Sequence, residues 1–295
     1  MSIPSTVKCF GQLCEQVTNE PSLTIKEEII RGFVSRFSGN LTLLAKLLLP
    51  KYANRIYYAQ EKQLIRVLSV VLCVPEDDLK TEWNKNGCVA ETAQKFFKPT
   101  ASVDSSGWCK MTLDTFDEYL NKMAAASTET NRIDVVTDFL KHACGKTVYL
   151  FFRELKQDMR LGAGLRIVLA GLHPNAYQIF QHTANLEQVV EQIKKADTVT
   201  KTGSTGQVIT RGVVSAQIKL GVPLAPMLAA PSKSIDYVLS KCPNGAFSEV
   251  KYDGERIQIH KQNGVLSFFA RSIKANAACQ VRWPGKVHQR SGGGG

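Results

Sequence analysis

Long apolar runs are absent from this 295-residue chain. The most leucine-rich stretch, residues 41–49, contains Thr42 and Lys46 and is much shorter than the roughly 20 apolar residues of a membrane-spanning helix. Residues 1–13 carry neither the apolar core of a secretory signal nor an Arg-rich amphipathic pattern. These features exclude an integral membrane protein, and we expect a soluble, intracellular protein with no membrane partner.

Metal-ligand spacing is also absent. The eight cysteines are scattered without a Cys-x-x-Cys pair, and none of the five histidines falls at ligand spacing beside them. A structural zinc site needs such clustering. We therefore predict no metal site from these residues, and we expect the cysteines to be reduced, buried thiols.

A nucleotide-binding P-loop is missing as well. Gly145-Lys146-Thr147 resembles the end of one, but Leu140 stands where the motif requires its first glycine. The Gly-Ser-Thr-Gly run at residues 203–206 follows no predicted strand, so we interpret it as part of a linker. Neither segment predicts phosphate binding.

Acidic residues are too few to balance the basic ones. Lys and Arg number 37 against 26 Asp and Glu, which gives a formal net charge of +11. This balance favours polyanionic partners such as nucleic acid, although charge alone does not single out one class of partner.

The chain changes character about two thirds of the way along. Apolar residues recur at helical spacing up to about residue 200, with strand-like alternation nearly absent, which predicts an all-helical domain over residues 1–200. Residues 201–221 are rich in Thr, Gly and Ser and suit a linker. Residues 222–273 predict a mixed α/β region, and residues 274–295 a basic, glycine-ended tail that we expect to be disordered.

The segment with the most chemically useful side chains is Ser-Glu-Val-Lys-Tyr-Asp-Gly-Glu-Arg, residues 248–256. On a strand, Glu249 and Lys251 would lie on the same face. A lysine amine attacks the α-phosphorus of a nucleotide only when it is neutral, which partial desolvation and a cation such as Arg256 favour. Glu249 is placed to accept a hydrogen bond from an adenine amino group. Residues 247–252 and 256–261 alternate with period two around Asp253-Gly254, which predicts a hairpin, and residues 265–270 predict a further strand. The alternative to a nucleotide site is that the charges of this hairpin are merely solvated.

This segment resembles a known nucleophile motif. Lys-x-Asp-Gly is the motif of the covalent nucleotidyltransferases, which are DNA ligases, RNA ligases and capping enzymes, and the longer form resembles eukaryotic ATP-dependent DNA ligases. Pro-Met-Leu-Ala at residues 226–229 resembles the entry to the adenylation domain of that family. Lys-Cys-Pro-Asn-Gly at residues 241–245 resembles the DNA ligase III branch. The resemblance implies that Lys251 carries AMP.

A further segment adds to the predicted nucleotide site. Phe-Ala-Arg-Ser at residues 269–272 resembles the Phe-Ser-Arg-Ser of the ligase family. The resemblance implies that Arg271 contacts the AMP or phosphate side of the pocket, beside Glu249 and Arg256.

The helical region resembles the DNA-binding domain of the same family over nearly its whole length. Its most informative segment is Asp-Met-Arg-Leu-Gly-Ala-Gly at residues 158–164, similar to the family's Asp-Leu-Arg-Ile-Gly-x-Gly. Glycines before a helix let backbone N–H groups face a phosphate, although an ordinary glycine-rich connection is the alternative. The residues predicted to contact DNA phosphates are Arg153, Lys156, Arg160, Gly162, Gly164 and Arg166.

The resemblance implies a mainly α fold, in which an all-helical DNA-binding domain precedes the start of an α+β nucleotidyltransferase domain. It implies a DNA ligase that uses ATP and Mg²⁺ and seals nicks in duplex DNA, which it would hold by its phosphates. We expect a nuclear protein, with a mitochondrial location as the alternative. Repair scaffold proteins are further candidate partners, although we find no docking domain for them in this sequence.

The sequence also predicts an incomplete catalytic domain. The family's metal-binding carboxylates, its second pair of lysines and its OB-fold are not matched after Arg271, and the resemblance ends at about residue 273. We therefore expect this chain to be inactive alone. The alternative function is a non-catalytic fragment or splice product that binds nicked or intact duplex DNA.

Overall fold

The structure is a computed structural model that describes residues 2–57, 59–99, 101–201, 223–224, 231–232, 234–242, 244–250, 253–254, 256–262 and 265–270. For residues 182, 196–201 and 265 it describes the backbone only. The chain divides into two units, Met1–Gln181 with Asn185–Ala216, and His182–Ala184 with Gln217–Gly295. Each unit is described by itself. The predicted tail lies outside the described residues, as does the predicted linker apart from Lys201.

Helices make up nearly all of the first unit, as the 3.6-residue periodicity predicts. They are α1 Val7–Asn19, α2 Leu23–Val34, α3 Leu41–Leu48, α4 Glu61–Leu72, α5 Glu76–Asn86, α6 Val89–Phe96, α7 Leu113–Ala125, α8 Glu129–His142, α9 Gly145–Leu155, α10 Leu165–Leu172, α11 Ala176–Thr183 and α12 Leu186–Lys201. A short 3-10 turn, Pro50–Tyr52, follows α3. The prediction of a mainly α fold is confirmed.

Polar side chains fix where several helices begin. The side chains of Thr6, Asn40, Thr112 and Thr128 accept hydrogen bonds from backbone amides in the first turns of α1, α3, α7 and α8. These bonds satisfy N–H groups that have no partner inside the helix. At the other end of α5, Gly87 adopts a φ of 65°, a left-handed conformation that glycine reaches without strain.

The core of the first unit is built around stacked aromatic rings. The ring centroids of Phe139 in α8 and Phe151 in α9 lie 4.1 Å apart, and Phe116 of α7 packs edge-on against Phe151 at 6.0 Å. Trp108 is buried over Gly11 of α1, where an added Cβ would lie 2.0 Å from the indole ring. These contacts tie α1, α7, α8 and α9 into one hydrophobic core.

Close packing of α2 against α10 positions the segment that precedes α10. An added Cβ at Gly171 in α10 would lie 2.7 Å from the side chain of Ile30 and 3.1 Å from the carbonyl oxygen of Glu27, both in α2. Only glycine allows the two helix backbones to approach this closely. Helix α10 is therefore held against α2.

The second unit contains a helix, α13 Ile235–Lys241, and two strands, β1 Ile257–Gln262 and β2 Val265–Ala270. The strands are antiparallel, with Ile257 opposite Ala270 and Gln262 opposite Val265. A hairpin that turns at Asp253-Gly254 was the sequence-based prediction, and it is wrong: residues 247–250 form no strand. Phe247 is fully exposed there, and no strand pairs with these residues in the described part of the chain.

A buried carboxyl group lies in the core of the first unit. Glu154 of α9 is 1% exposed, and its Oε1 has no hydrogen-bond partner among the described residues. Burial raises the pKa of Glu154 well above its ordinary value, and the negative charge of Asp117 adds to the rise while Arg55 opposes it. A charged carboxylate at this position would be destabilising.

We expect Glu154→Gln to stabilise the protein at alkaline pH. Between the ordinary pKa and the raised one, the folded state binds a proton that the unfolded state releases, so the free energy of unfolding falls as pH rises. Glutamine does not titrate, so the variant should lose this slope and gain about 1–2 kcal/mol near pH 8. Urea unfolding at about pH 5 and about pH 8 measures the difference, and parallel pH profiles for the two proteins would contradict it.

Candidate nucleic-acid interface

The connection between α9 and α10, residues 156–164, is a loop with an unusual backbone. Gln157, Arg160 and Gly162 have φ values of 53°, 51° and 60°, in the left-handed region that is costly for residues other than glycine. Hydrogen bonds hold this shape. Gln157 Nε2 donates to the Arg55 carbonyl at 2.6 Å, and Asp158 Oδ1 accepts from the Arg160 backbone N–H at 3.2 Å.

Helix α10 begins directly after this loop without a side-chain cap. Gly164 occupies the N-cap position with φ −71° and ψ 168°, and its carbonyl accepts from Ile167 at 3.0 Å and Val168 at 3.1 Å. The N–H groups of Leu165 and Arg166 have no acceptor among the described residues. A helix N-terminus with open N–H groups carries a partial positive charge and favours anions.

Basic side chains border the same loop. Arg166 is exposed, with its guanidinium 5.9 Å from the ring centre of Tyr177, and no carboxylate of the described chain lies within 4.0 Å of it. The Arg160 side chain is 49% exposed and lies 3.4 Å from Glu91. Lys51, in the turn after α3, is exposed on the other side. All three cations therefore remain accessible to an external anion.

Lys51, Arg160 and the loop line an open cavity of about 360 Å³, and Arg166 follows the last lining residue in the first turn of α10. Its walls come from residues 48–52 on one side and residues 157–165 on the other. Lys51, Arg160, Gly162 and Gly164 are among the lining residues. The loop thus brings together a concave surface, open backbone N–H groups and positive charge, which is the chemistry that a DNA phosphate requires.

Two of the four residues predicted to form the nucleotide site lie in the described part of the second unit. Glu249 and Arg256 are both exposed, and Arg256 directly precedes β1. Lys251 and Arg271 lie outside the described residues. An exposed carboxylate and an exposed cation are groups that suit the amino group of adenine and the phosphates of ATP.

Comparison with known proteins identifies the relatives of this fold. A family model described as DNA ligase N terminus matches residues 7–173, which is more than half of the chain. The chain belongs to the DNA ligase family. A second model, described as ATP dependent DNA ligase domain, matches residues 226–290 of this ligase chain, and that match continues past residue 273, where the resemblance was expected to end.

Viral and amoebal DNA ligases are similar to this chain. The DNA ligase of fowlpox virus (strain NVSL) is 33% identical over 272 residues, which cover 91% of this chain and 45% of the relative. The DNA ligase of vaccinia virus (strain Western Reserve) is 28% identical over 270 residues, 92% of this chain and 46% of the relative. DNA ligase 3 of Dictyostelium discoideum is 27% identical over 297 residues, 89% of this chain and 25% of the relative. The ligase chain thus spans less than half the length of these relatives.

Arg153 corrects the set of predicted DNA contacts. Its side chain is 3% exposed, with Nη2 lying 3.3 Å from the Asp158 carboxylate and Nη1 3.5 Å from Cys88 Sγ. The prediction of a direct phosphate contact is wrong for Arg153, because α9 turns this side chain into the protein. Arg153 instead holds Asp158 at the start of the loop.

The other residues predicted to contact DNA differ in their exposure and in whether a carboxylate of the protein already pairs with them. Lys156 is about one third exposed and lies 3.0 Å from Glu61, so a local carboxylate already neutralises it. Arg160, Gly162 and Gly164 line the cavity, and Arg166 is exposed in the first turn of α10. Their contact with DNA stays a prediction. Lys51 was missed by sequence reasoning, since no local motif marks it.

The resemblance to the family implies a Mg²⁺ ion. No group of three or more His, Cys, Asp or Glu side chains in the described part of the chain is arranged to hold a metal ion. Among the described helices, none is long and apolar enough to cross a membrane.

Proposed function

We propose that this chain is the DNA-binding domain and the first part of the catalytic domain of an ATP-dependent DNA ligase of the DNA ligase III type. The observation that carries the proposal is the basic, open cavity before α10, which lies within the region that matches the ligase N-terminal family. The ligand is duplex DNA that contains a nick. A role in nuclear DNA repair is part of the proposal.

The first unit holds DNA through its phosphates. Arg166 and Arg160 donate to phosphate oxygens, and the open N–H groups at the start of α10 add uncharged donors. None of these groups reads a base edge by itself, so binding is independent of sequence. Such binding suits an enzyme that must recognise a nick in any sequence.

In the second unit, Lys251 is the proposed nucleophile. Its neutral amine attacks the α-phosphorus of ATP, a nitrogen–phosphorus bond forms, and the bond to pyrophosphate breaks. The AMP then passes to a 5′-phosphate at the nick, and attack by the 3′-hydroxyl seals the strand and releases AMP. The Lys-x-Asp-Gly motif, which lies inside the second family match, supports this role.

The DNA ligase III assignment is the narrowest part of the proposal. Two observations support it: the Lys-Cys-Pro-Asn-Gly segment at residues 241–245, and the similarity to a Dictyostelium protein named DNA ligase 3. The poxvirus relatives carry the broader name DNA ligase. The family-level function does not depend on this distinction.

The affinity of the chain for a nicked duplex should fall steeply with salt. Each phosphate that a lysine or arginine neutralises releases counterions, so the logarithm of the association constant falls by about 0.9 per contact for each tenfold rise in salt. Contacts from Arg160, Arg166 and Lys51, the third exposed cation beside the loop, predict a slope of about −3. Fluorescence anisotropy with a labelled nicked duplex over a series of KCl concentrations measures it. A flat salt response, or no binding at low salt, would refute the proposed DNA-binding role.

A further inference from the structure

Lys26 of α2 is a buried lysine that lies beneath the 156–164 loop. It is 4% exposed, and its Nζ donates to the carbonyl oxygen of Leu161 at 2.5 Å. No carboxylate in the described part of the chain lies within 4.0 Å of this ammonium. A buried charge without a counter-charge is costly. The loop therefore covers a positive charge that the protein itself does not neutralise.

Gly162 closes the loop over this ammonium. An added Cβ at Gly162 would lie 2.7 Å from Lys26 Nζ, and the φ of 60° is in the left-handed region. The backbone conformation favours glycine at this position, and a side chain here would displace the Lys26 ammonium.

The hydrogen bond from Lys26 sets the direction of the next amide. The described chain has no cis peptide bond, and in a trans peptide the C=O and the N–H point in opposite directions. Since the Leu161 carbonyl is turned toward Lys26, the Gly162 N–H of the same peptide is turned away from it. That N–H has no acceptor among the described residues, and Gly162 lines the open cavity.

We propose that Lys26 orients the Leu161–Gly162 peptide for the phosphate contact that the sequence predicts at Gly162. The Gly162 N–H donates to an oxygen of a DNA backbone phosphate, and the Lys26 ammonium behind the peptide supplies the positive charge that this phosphate neutralises. Lys26 is a positioning residue, because it acts through the peptide and does not touch the DNA. The inference rests on the proposed DNA-binding function and adds Lys26 to its site.

The test compares Lys26→Met, which removes the charge and the donor, with Lys26→Gln, which keeps an N–H donor without the charge. Lys141→Met, an exposed lysine at the end of α8, is the matched control. With a labelled nicked duplex at fixed salt, we expect Lys26→Met to lower the affinity for DNA at least about tenfold. Lys26→Gln should lower the affinity by a smaller factor. The control should bind within about twofold of the wild type. Folded Lys26 variants that bind like the wild type would overturn the proposal.

A second measurement uses only the wild-type protein. It tests the proposed phosphate contact at Gly162 even if both Lys26 variants fail to fold. The amide signal of Gly162 in a ¹H–¹⁵N correlation spectrum should shift when inorganic phosphate is added, and again with the nicked duplex. A Gly162 amide that responds to neither ligand overturns the proposed contact. If phosphate shifts the signal but the protein binds no duplex, the contact at Gly162 stands and the proposed DNA-binding function fails, so the two failures are distinguishable.

Discussion

Replacing Lys251 by alanine is expected to abolish any covalent transfer of AMP to this protein. The side-chain amine is the only group that the proposed chemistry uses to attack the α-phosphorus, and alanine has no nucleophile to replace it. Incubation with ATP labelled on the α-phosphate, followed by acid treatment, measures the transfer. Any acid-labile protein–AMP adduct that the wild type forms should be missing in Lys251→Ala.

Lys261→Ala provides the matched control for this experiment. Lys261 is an exposed lysine on β1, in the same unit but outside the Lys-x-Asp-Gly motif. Its variant should retain the wild-type level of label. Label that persists in Lys251→Ala would place the nucleophile elsewhere, and a wild-type chain that takes up no label would refute the catalytic part of the proposal while leaving DNA binding untouched.

The double variant Arg160→Ala/Arg166→Ala should lose most of its affinity for nicked DNA. Each arginine is proposed to make one charge-assisted contact with a phosphate, so the loss should be on the order of a hundredfold at moderate salt. The slope of the logarithm of the association constant against the logarithm of the salt concentration should also become shallower, by the amount that two phosphate contacts contribute. Anisotropy titrations of both proteins over the same KCl series measure the two effects together.

Two controls separate this effect from a loss of stability. Arg66→Ala removes an exposed arginine of α4 that does not line the cavity, and it should change affinity little. The double variant should unfold at nearly the wild-type temperature, because the surface pair between Arg160 and Glu91 contributes at most about 1 kcal/mol. Wild-type affinity in the double variant would remove the loop from the DNA-binding surface.

The helical architecture was predictable from the sequence because local signals specify it. Leucines at helical spacing identified α3, and Pro50 marked its end, where the structure has a 3-10 turn. The periodicity of the last predicted helix corresponds to α12, which ends at Lys201. The arrangement of these helices depends on contacts between distant residues, such as Gly11 with Trp108. No local pattern reveals such contacts.

The candidate interface was only partly predictable for the same reason. The Gly-Ala-Gly segment located the loop, but the sequence does not say which side of α9 faces solvent. Six successive residues of α9, from Leu150 to Leu155, are buried, so Arg153 has no exposed face to occupy. Lys26 reaches the loop from 135 residues away in the sequence. Such a contact exists only after the chain has folded.

The error in the second unit has a specific physical origin. Alternating residues around Asp253-Gly254 favoured a hairpin there, but a strand is stable only when another strand pairs with it. The observed pair β1 and β2 leaves two residues between Gln262 and Val265, and their sequence is Asn-Gly. Asn-Gly is the stronger signal for a two-residue hairpin, because both residues tolerate positive φ.

Hydrogen exchange of the wild-type chain, with and without a nicked duplex, tests the central claim most directly. The account predicts slower exchange of backbone amides over residues 157–166 when DNA is bound, because the Gly162 N–H and the first-turn amides of α10 become donors to phosphate. Amides of α8, on which no DNA contact is proposed, should exchange at an unchanged rate. Protection elsewhere in the first unit, with none over residues 157–166, would contradict the account.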